Sequence, residues 1–247
     1  VQDVLVRLDR DLGELFEQLD AKVGRGNYVV AFSADHGVAP IPEQAERDGL
    51  GGGRLAPSEI TAKVDELVSG WLGESKYVAG MVDSDLSFSP GVYQRLKNGP
   101  GMLDVIVHEI ESMPGVARVF RAEQLYPMPE IADPILRAAA LSYVPGRSGD
   151  LIIVQKPYWI FSEPVPKGAT GGGTTHGSPY GYDQRVPVIF YGWGVRPGMY
   201  LDAATPADIA PTLAYLCRIT LAQPDGHVLA AAIAAPAVTR KAAGAEQ

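Results

Sequence analysis

The stretch NYVVAFSADHG, Asn27 to Gly37, decides how this chain is read. Its first part, YVVAFSA, is apolar without alternation, the texture of a strand covered on both faces. It stops in a carboxylate, an imidazole and a glycine. Successive side chains of a strand point to opposite faces, so Asp35 and His36 can meet at one atom only where the strand has ended. Gly37 permits the sharp turn that this requires. Upstream, Val4, Leu5, Leu8, Leu12, Leu15, Phe16 and Leu19 form the apolar stripe of an amphipathic helix over 3–22, ended by Gly24 and Gly26. Helix, short loop and buried strand are the units of an α/β layer fold.

Downstream the texture changes. Pro40, Pro42 and the run GLGGGR before Leu55 mark a loop. Gly51 to Gly53 lack the following lysine and the preceding strand of a phosphate loop, so they read as a flexible connector. A helix over 57–72 follows, with Ser58 as its cap. YVAGMV and LSFSPGVY form a hairpin turning at Asp83-Ser84-Asp85, and a helix over 101–113 stops at Pro114-Gly115. VARVFRA is the next strand and 133–141 the next helix.

DLIIVQ (150–155) resumes the buried-strand texture, and VPVIFYG (186–192) repeats it after the glycine-rich loop GATGGGTTHGSP (168–179). DIAPTLAYLCRI (208–219) is an amphipathic helix. The expected fold is therefore α/β: a three-layer α/β/α core with a largely parallel sheet over 1–39 and 150–235. An α+β cap subdomain is inserted over 40–149, and a flexible Ala-rich tail covers 236–247.

Bulk properties narrow the function. The 247 residues are 46% hydrophobic with a mean hydropathy of +0.01, enough for a substantial core. The net charge of −8 is spread along the chain, which excludes the basic stripe of a nucleic-acid binder. It leaves room for an anionic substrate, because a bound metal reverses the local field. A single cysteine, Cys217, excludes an internal disulfide and a thiolate zinc cluster, and its apolar helical setting predicts a buried, inert thiol. No stretch has the apolar length of a membrane span; VLAAAIAAPAV is too short and contains a proline. The chain opens on Val1 inside a helical pattern, with no signal-peptide pattern, and reads as a cut end.

Ligand sites of open α/β sheets gather at the carboxyl ends of strands, where Asp35 and His36 sit, and both residue types bind zinc. The pair alone also fits an aspartate capping the next turn beside a surface histidine. Thr174-Thr175-His176-Gly177 tips the reading, because a flexible approach, a histidine and a following buried strand recur there. Two such loops at one sheet edge point to a shared metal centre.

NYVVAFSADHG, TTHGSPYGYDQRVPVIFYGWGV, TPADIAPTLAYLCRI and PDGHVL, in this order, resemble the alkaline phosphatase superfamily, in its type I phosphodiesterase/nucleotide pyrophosphatase-like and PafA-like phosphatase branch. The resemblance implies that Asp35 and His36 are ligands of one zinc and His176 a ligand of its partner. It makes 40–149 the variable cap. By their position around the histidine, Thr175, Tyr180 and Tyr182 are candidates for a substrate-site wall, with loop shaping by Thr175 and aromatic packing by the tyrosines as the alternative. Family members also carry a Thr or Ser nucleophile and a D-x-x-x-H ligand pair before the first helix. Neither occurs here, so the chain is expected to be the C-terminal portion of a longer enzyme, inactive alone. Two zinc ions are expected in the intact enzyme and a partial or empty site in this portion.

The implied reaction is phosphomonoester or phosphodiester hydrolysis through a phospho-enzyme, on a periplasmic or secreted protein. A non-catalytic scaffold or binding domain, and a sulfatase-like hydrolase, are the alternatives. Self-association through a truncated edge is expected, with neither nucleic acid nor membrane as a partner. Ser33 and Thr175 are poor substitutes for the missing nucleophile. His108 reads as a surface helix residue and His227 as a turn residue, while Lys156 and Lys167 could meet an anionic substrate.

Overall fold

The computed structural model describes residues 2–128, 132–163 and 173–234. In chain order, the first elements are α1 (Gln2–Lys22), β1 (Val29–Ser33), α2 (Pro42–Arg47), β2 (Gly53–Leu55), α3 (Pro57–Leu72), β3 (Val78–Val82), β4 (Asp85–Phe88) and α4 (Val92–Asn98). They are followed by α5 (Met102–Ser112), β5 (Val116–Arg121), α6 (Ala122–Leu125), α7 (Pro134–Ser142), β6 (Leu151–Gln155), β7 (Trp159–Phe161), α8 (Gly181–Gln184), β8 (Val188–Gly192) and α9 (Ile209–Cys217). The chain divides into two compact units, one formed by Val1–Asp35 with Val186–Gln247 and the other by His36–Arg185.

In the first unit, β1 and β8 pair antiparallel, from Val29 opposite Gly192 to Ser33 opposite Val188. Both are half-buried rather than sealed on two faces, with Phe32 36% exposed. α1 forms where its period predicts. In the C-terminal half of its stripe Leu12, Phe16 and Leu19 are half-buried, with Phe16 5.2 Å from Tyr191, while Val4, Leu5, Leu8 and Leu15 remain exposed.

α9 is anchored by Asp208, only 1% exposed, whose carboxylate accepts the N–H groups of Thr205 at 2.7 Å and His227 at 2.8 Å. Thr212 donates its hydroxyl to the Asp208 carbonyl at 2.7 Å and accepts the Leu229 N–H at 3.0 Å, so the DIAPT run ties the segment around His227 to the helix. Cys217 is exposed, contrary to the expected buried thiol. α9 buries Pro211, Thr212, Ala214 and Leu216, which leaves the position of Cys217 facing outward.

The second unit is built on a four-stranded sheet in the order β3-β4-β6-β5, every neighbour antiparallel. β6 is buried at all five residues. Leu151 and Ile153 pack with Ile60, Val64 and Val68 of α3 and with Leu103, Ile106 and Ile110 of α5. Ile152 and Val154 enter a second cluster with Leu125 of α6 and Ala140 of α7. Burial on both faces is what the unbroken apolar run of DLIIVQ encodes.

The α/β class stands, and two particulars differ. DLIIVQ, expected beside VVAFS and VPVIFYG, pairs instead with β4 and β5. The sheets are small, and parallel pairing among the described residues is confined to β2 and β7, with Gly53 opposite Trp159. Strand texture reports coverage of two faces and is silent on direction, since an antiparallel sheet between helices looks the same. The glycine connector is likewise partly ordered: a Cβ on Gly53 would lie 2.7 Å from the Trp159 ring, so glycine there makes room for the indole. Ser58 does not cap α3; its backbone N–H and hydroxyl both donate to the Glu163 carboxylate.

Ile153→Ala is expected to cost about 2–5 kcal/mol, seen as a lower urea midpoint with unchanged m, whereas Val82→Ala at an exposed position stays within about 0.5 kcal/mol. A second expectation concerns acid. Burial alone would raise the Asp208 carboxyl, but the N–H groups of His227 and Thr205 outweigh it and hold the group below its ordinary range. A depressed folded value means that the stabilisation is complete above the unfolded pKa and is lost as pH falls through the folded one. Thermal melts of the wild type and Asp208→Asn should therefore differ near neutrality and converge as the pH is lowered through the carboxylate range.

Candidate metal centre

The segment after His36 is stitched to two others of the same unit. Gly37 N–H donates to the Asp183 carbonyl at 2.6 Å, Val38 N–H to the Tyr182 carbonyl at 3.0 Å and Ala39 N–H to the Thr175 carbonyl at 3.2 Å. The Thr174 hydroxyl returns a bond of 2.7 Å to the Ala39 carbonyl. Gly37 does not serve by a left-handed turn, as its sequence context suggests. It serves by absence, since a Cβ would stand 2.0 Å from the Tyr182 carbonyl oxygen.

The stitching brings His36 and His176 face to face, with ring centroids 3.5 Å apart and planes within 16° of parallel. His36 Nδ1 lies 2.6 Å from the Gly37 carbonyl. A carbonyl only accepts, so Nδ1 carries the proton of this bond and the ring is oriented through it. His36 is half-buried, while His176 and Asp35 are exposed. Imidazole held in a fixed orientation is a residue type suited to zinc ligation. Among the described residues, however, no three His, Cys, Asp or Glu side chains gather into one metal-holding group. The donors present therefore amount to part of a site.

Two supports were not singled out from the sequence. Asp183 is 4% exposed, and its Oδ2 accepts the Ser178 N–H at 2.8 Å. Its Oδ1 is buried with no hydrogen-bond partner, a placement costing at least the ~1–3 kcal/mol of a neutral unmatched group. Arg54 grips Glu43 through two bonds of 2.6 and 3.1 Å and donates to the Gly173 carbonyl at 3.2 Å, holding the entry to the histidine loop. The sequence signal for Asp183 is a carboxylate inside the aromatic run YGYDQR; for Arg54 there is none.

Tyr158 stacks on Tyr182 with centroids 5.4 Å apart, and Tyr180 lies tilted against Tyr182 at 5.7 Å. Tyr182 Oη accepts the Tyr158 N–H at 3.0 Å, and Tyr180 donates to the Gln155 carbonyl at 2.8 Å. Burial, helped by nearby Tyr182, raises the Tyr180 phenol and keeps it a donor. Both phenols thus fasten the loop to β6 and its following turn. Thr175 contributes its carbonyl to Ala39, and the Ser33 hydroxyl donates to the adjacent Ala34 carbonyl.

His108 is exposed on α5, as expected, and Lys156 is exposed. His227 Nδ1 lies 2.8 Å from Asp208 Oδ1 in the other unit. Lys167 lies outside the described residues, as does the glycine run from 168 to 172.

Comparison with known proteins places the chain in a family. The sequence profile of the family described as type I phosphodiesterase / nucleotide pyrophosphatase matches residues 1–179. Alkaline phosphatase PafA of Elizabethkingia meningoseptica is 30% identical over 232 residues, covering 92% of this chain and 40% of PafA. Alkaline phosphatase PhoV of Synechococcus elongatus is 28% identical over 232 residues, covering 92% of this chain and 39% of that one. The crystal structure of wild-type PafA superposes with a TM-score of 0.80 at 28% identity, over 95% of this chain and 44% of that one. Human ectonucleotide pyrophosphatase/phosphodiesterase 5, at 16% identity and a TM-score of 0.60 over 91% of this chain and 50% of that one, shares the fold. The chain spans about two fifths of the length of the curated relatives it matches.

The class these likenesses define is the alkaline phosphatase superfamily. Within it, the chain belongs to the type I phosphodiesterase / nucleotide pyrophosphatase family.

Gly37→Ala should break the pairing of 37–38 with 182–183, costing about 1–3 kcal/mol in chemical denaturation and separating the two imidazoles, which nuclear Overhauser contacts between their ring protons would report.

Proposed function

We propose that this chain is the C-terminal portion of a zinc-dependent phosphohydrolase, a phosphomonoesterase or phosphodiesterase whose nucleophilic Thr or Ser is not among these residues. Asp35 and His36 serve one zinc, and His176 serves its neighbour. The observation that carries the reading is the stacked imidazole pair. Lone pairs of imidazole lie in the ring plane, so near-parallel rings aim theirs along neighbouring lines that do not converge. That suits two adjacent cations better than one, and paired metals in phosphoryl-transfer sites stand about 3.5–4 Å apart. Bound zinc supplies positive charge to phosphoryl oxygens and eases loss of a proton from the attacking hydroxyl or water.

The residues of this chain orient rather than attack. The Gly37 carbonyl fixes the His36 tautomer, and the loop bonds keep both imidazoles at the rim without reorganisation during turnover. Phosphate esters of both classes fit this chemistry. A periplasmic or secreted location is part of the same proposal. The exposed Val4, Leu5 and Leu8 of α1 support self-association of this portion when expressed alone.

A scaffold domain of the same fold is the second reading, favoured by the lack of a third converging ligand among the described residues. Hydrolysis of p-nitrophenyl phosphate and bis-p-nitrophenyl phosphate, with zinc present, separates the two. The 247-residue chain should be inactive on both, while a longer protein containing it should turn over at least one and lose that activity in His36→Ala and His176→Ala. Turnover by the chain alone would refute the account of the nucleophile. A longer protein that binds zinc and hydrolyses neither ester would establish the scaffold.

A further inference from the structure

Asp183 is the one buried carboxylate of the described residues with an oxygen that meets no hydrogen-bond donor, and it stands between the two histidine loops. Its side chain takes the N–H of Ser178, two residues after His176, while its own carbonyl takes the N–H of Gly37, directly after His36. One residue thereby holds the backbone beside both imidazoles. The short turn from Tyr180 to Asp183, closed by the Asp183 N–H to the Tyr180 carbonyl at 2.9 Å, makes these two grips part of one rigid corner.

A purely space-filling residue in such a corner would be apolar, because a carboxylate with a single donor is a poor occupant of a buried position. Its presence implies that the acceptor is required. We infer that Asp183 is a positioning residue: it sets the separation of His36 and His176 by anchoring the Ser178 amide, without itself touching substrate. The inference rests on the imidazole pair described above and holds whether or not the pair carries zinc. It differs from the role of Arg54, which grips the loop at Gly173, upstream of His176, and leaves the segment after the histidine unsupported.

The test is made on the metal-free 247-residue chain by NMR of the histidine side chains. Stacked rings 3.5 Å apart shield one another, so the ring protons of His36 and His176 resonate upfield of those of exposed His108. Asp183→Asn keeps an acceptor for the Ser178 amide and should retain the shielding. Asp183→Leu fills similar volume without an acceptor and should lose it, with the amide spectrum of β3, β4, β5 and β6 unchanged. Asp183→Ala should behave as Asp183→Leu. Should alanine fail to fold, leucine decides, because it leaves no cavity. Wild-type shielding in Asp183→Leu, or loss of shielding in Asp183→Asn, overturns the inference. Because no zinc is present, a failure here is separate from a failure of the zinc reading.

Discussion

Everything proposed for the site depends on the backbone hydrogen bonds that join 37–39 to 174–175 and to 182–183. Neither loop has a regular partner of its own, and each contains glycine and proline that would leave it loose in isolation. Joined, they share their amide groups, and the ladder brings together two histidines far apart in the chain. Such an arrangement tolerates no side chain at its closest point, which explains a glycine at 37 without appeal to an unusual torsion. The same logic places cost at Asp183, where one buried carboxyl oxygen is left unmatched while its neighbour holds an amide in place.

The sheet behind this ladder is of a different character. β6 is sealed by helices on both faces; its last residue, Gln155, accepts the phenol of Tyr180, and the following turn offers the Tyr158 amide to Tyr182. Stiff packing is thus handed directly to a segment that lacks it. Interiors packed to crystalline density deform little, so loops fastened to them inherit their precision. Tyr158 holds a left-handed backbone, φ 66°, at this junction, a conformation that its ring stacking and the Tyr182 hydroxyl both sustain.

Much of this was legible in the residues. The period of α1, the texture of DLIIVQ and the hairpin at Asp83-Ser84 follow local rules, because helix stripes, two-faced burial and turn residues are properties of short windows. The direction and partners of the strands were not legible, since pairing is a long-range choice that the same texture permits in either sense. Asp35, His36 and His176 stand out because polar, chemically able residues interrupt apolar runs. Asp183, Arg54 and Tyr158 do not stand out, because their roles are hydrogen bonds to the Ser178 amide, the Gly173 carbonyl and the Tyr182 hydroxyl, partners that no local pattern marks. The Cys217 reading failed for a simpler reason: an amphipathic pattern fixes a face only when the helix is longer than the two turns of α9.

The grip of Arg54 gives the stretch before it an unexpected standing. The glycine-rich run 49–53 looks like slack, the sort of segment in which homologous chains gain or lose residues freely. Yet Arg54 follows them directly, in a three-residue strand registered against Trp159 and Ile160, and its guanidinium reaches the carbonyl of Gly173 three residues before His176. Slack on one side and a taut line on the other meet at a single residue. Length variation would be absorbed as far as Gly52, and from Arg54 onward it would be transmitted to the imidazole.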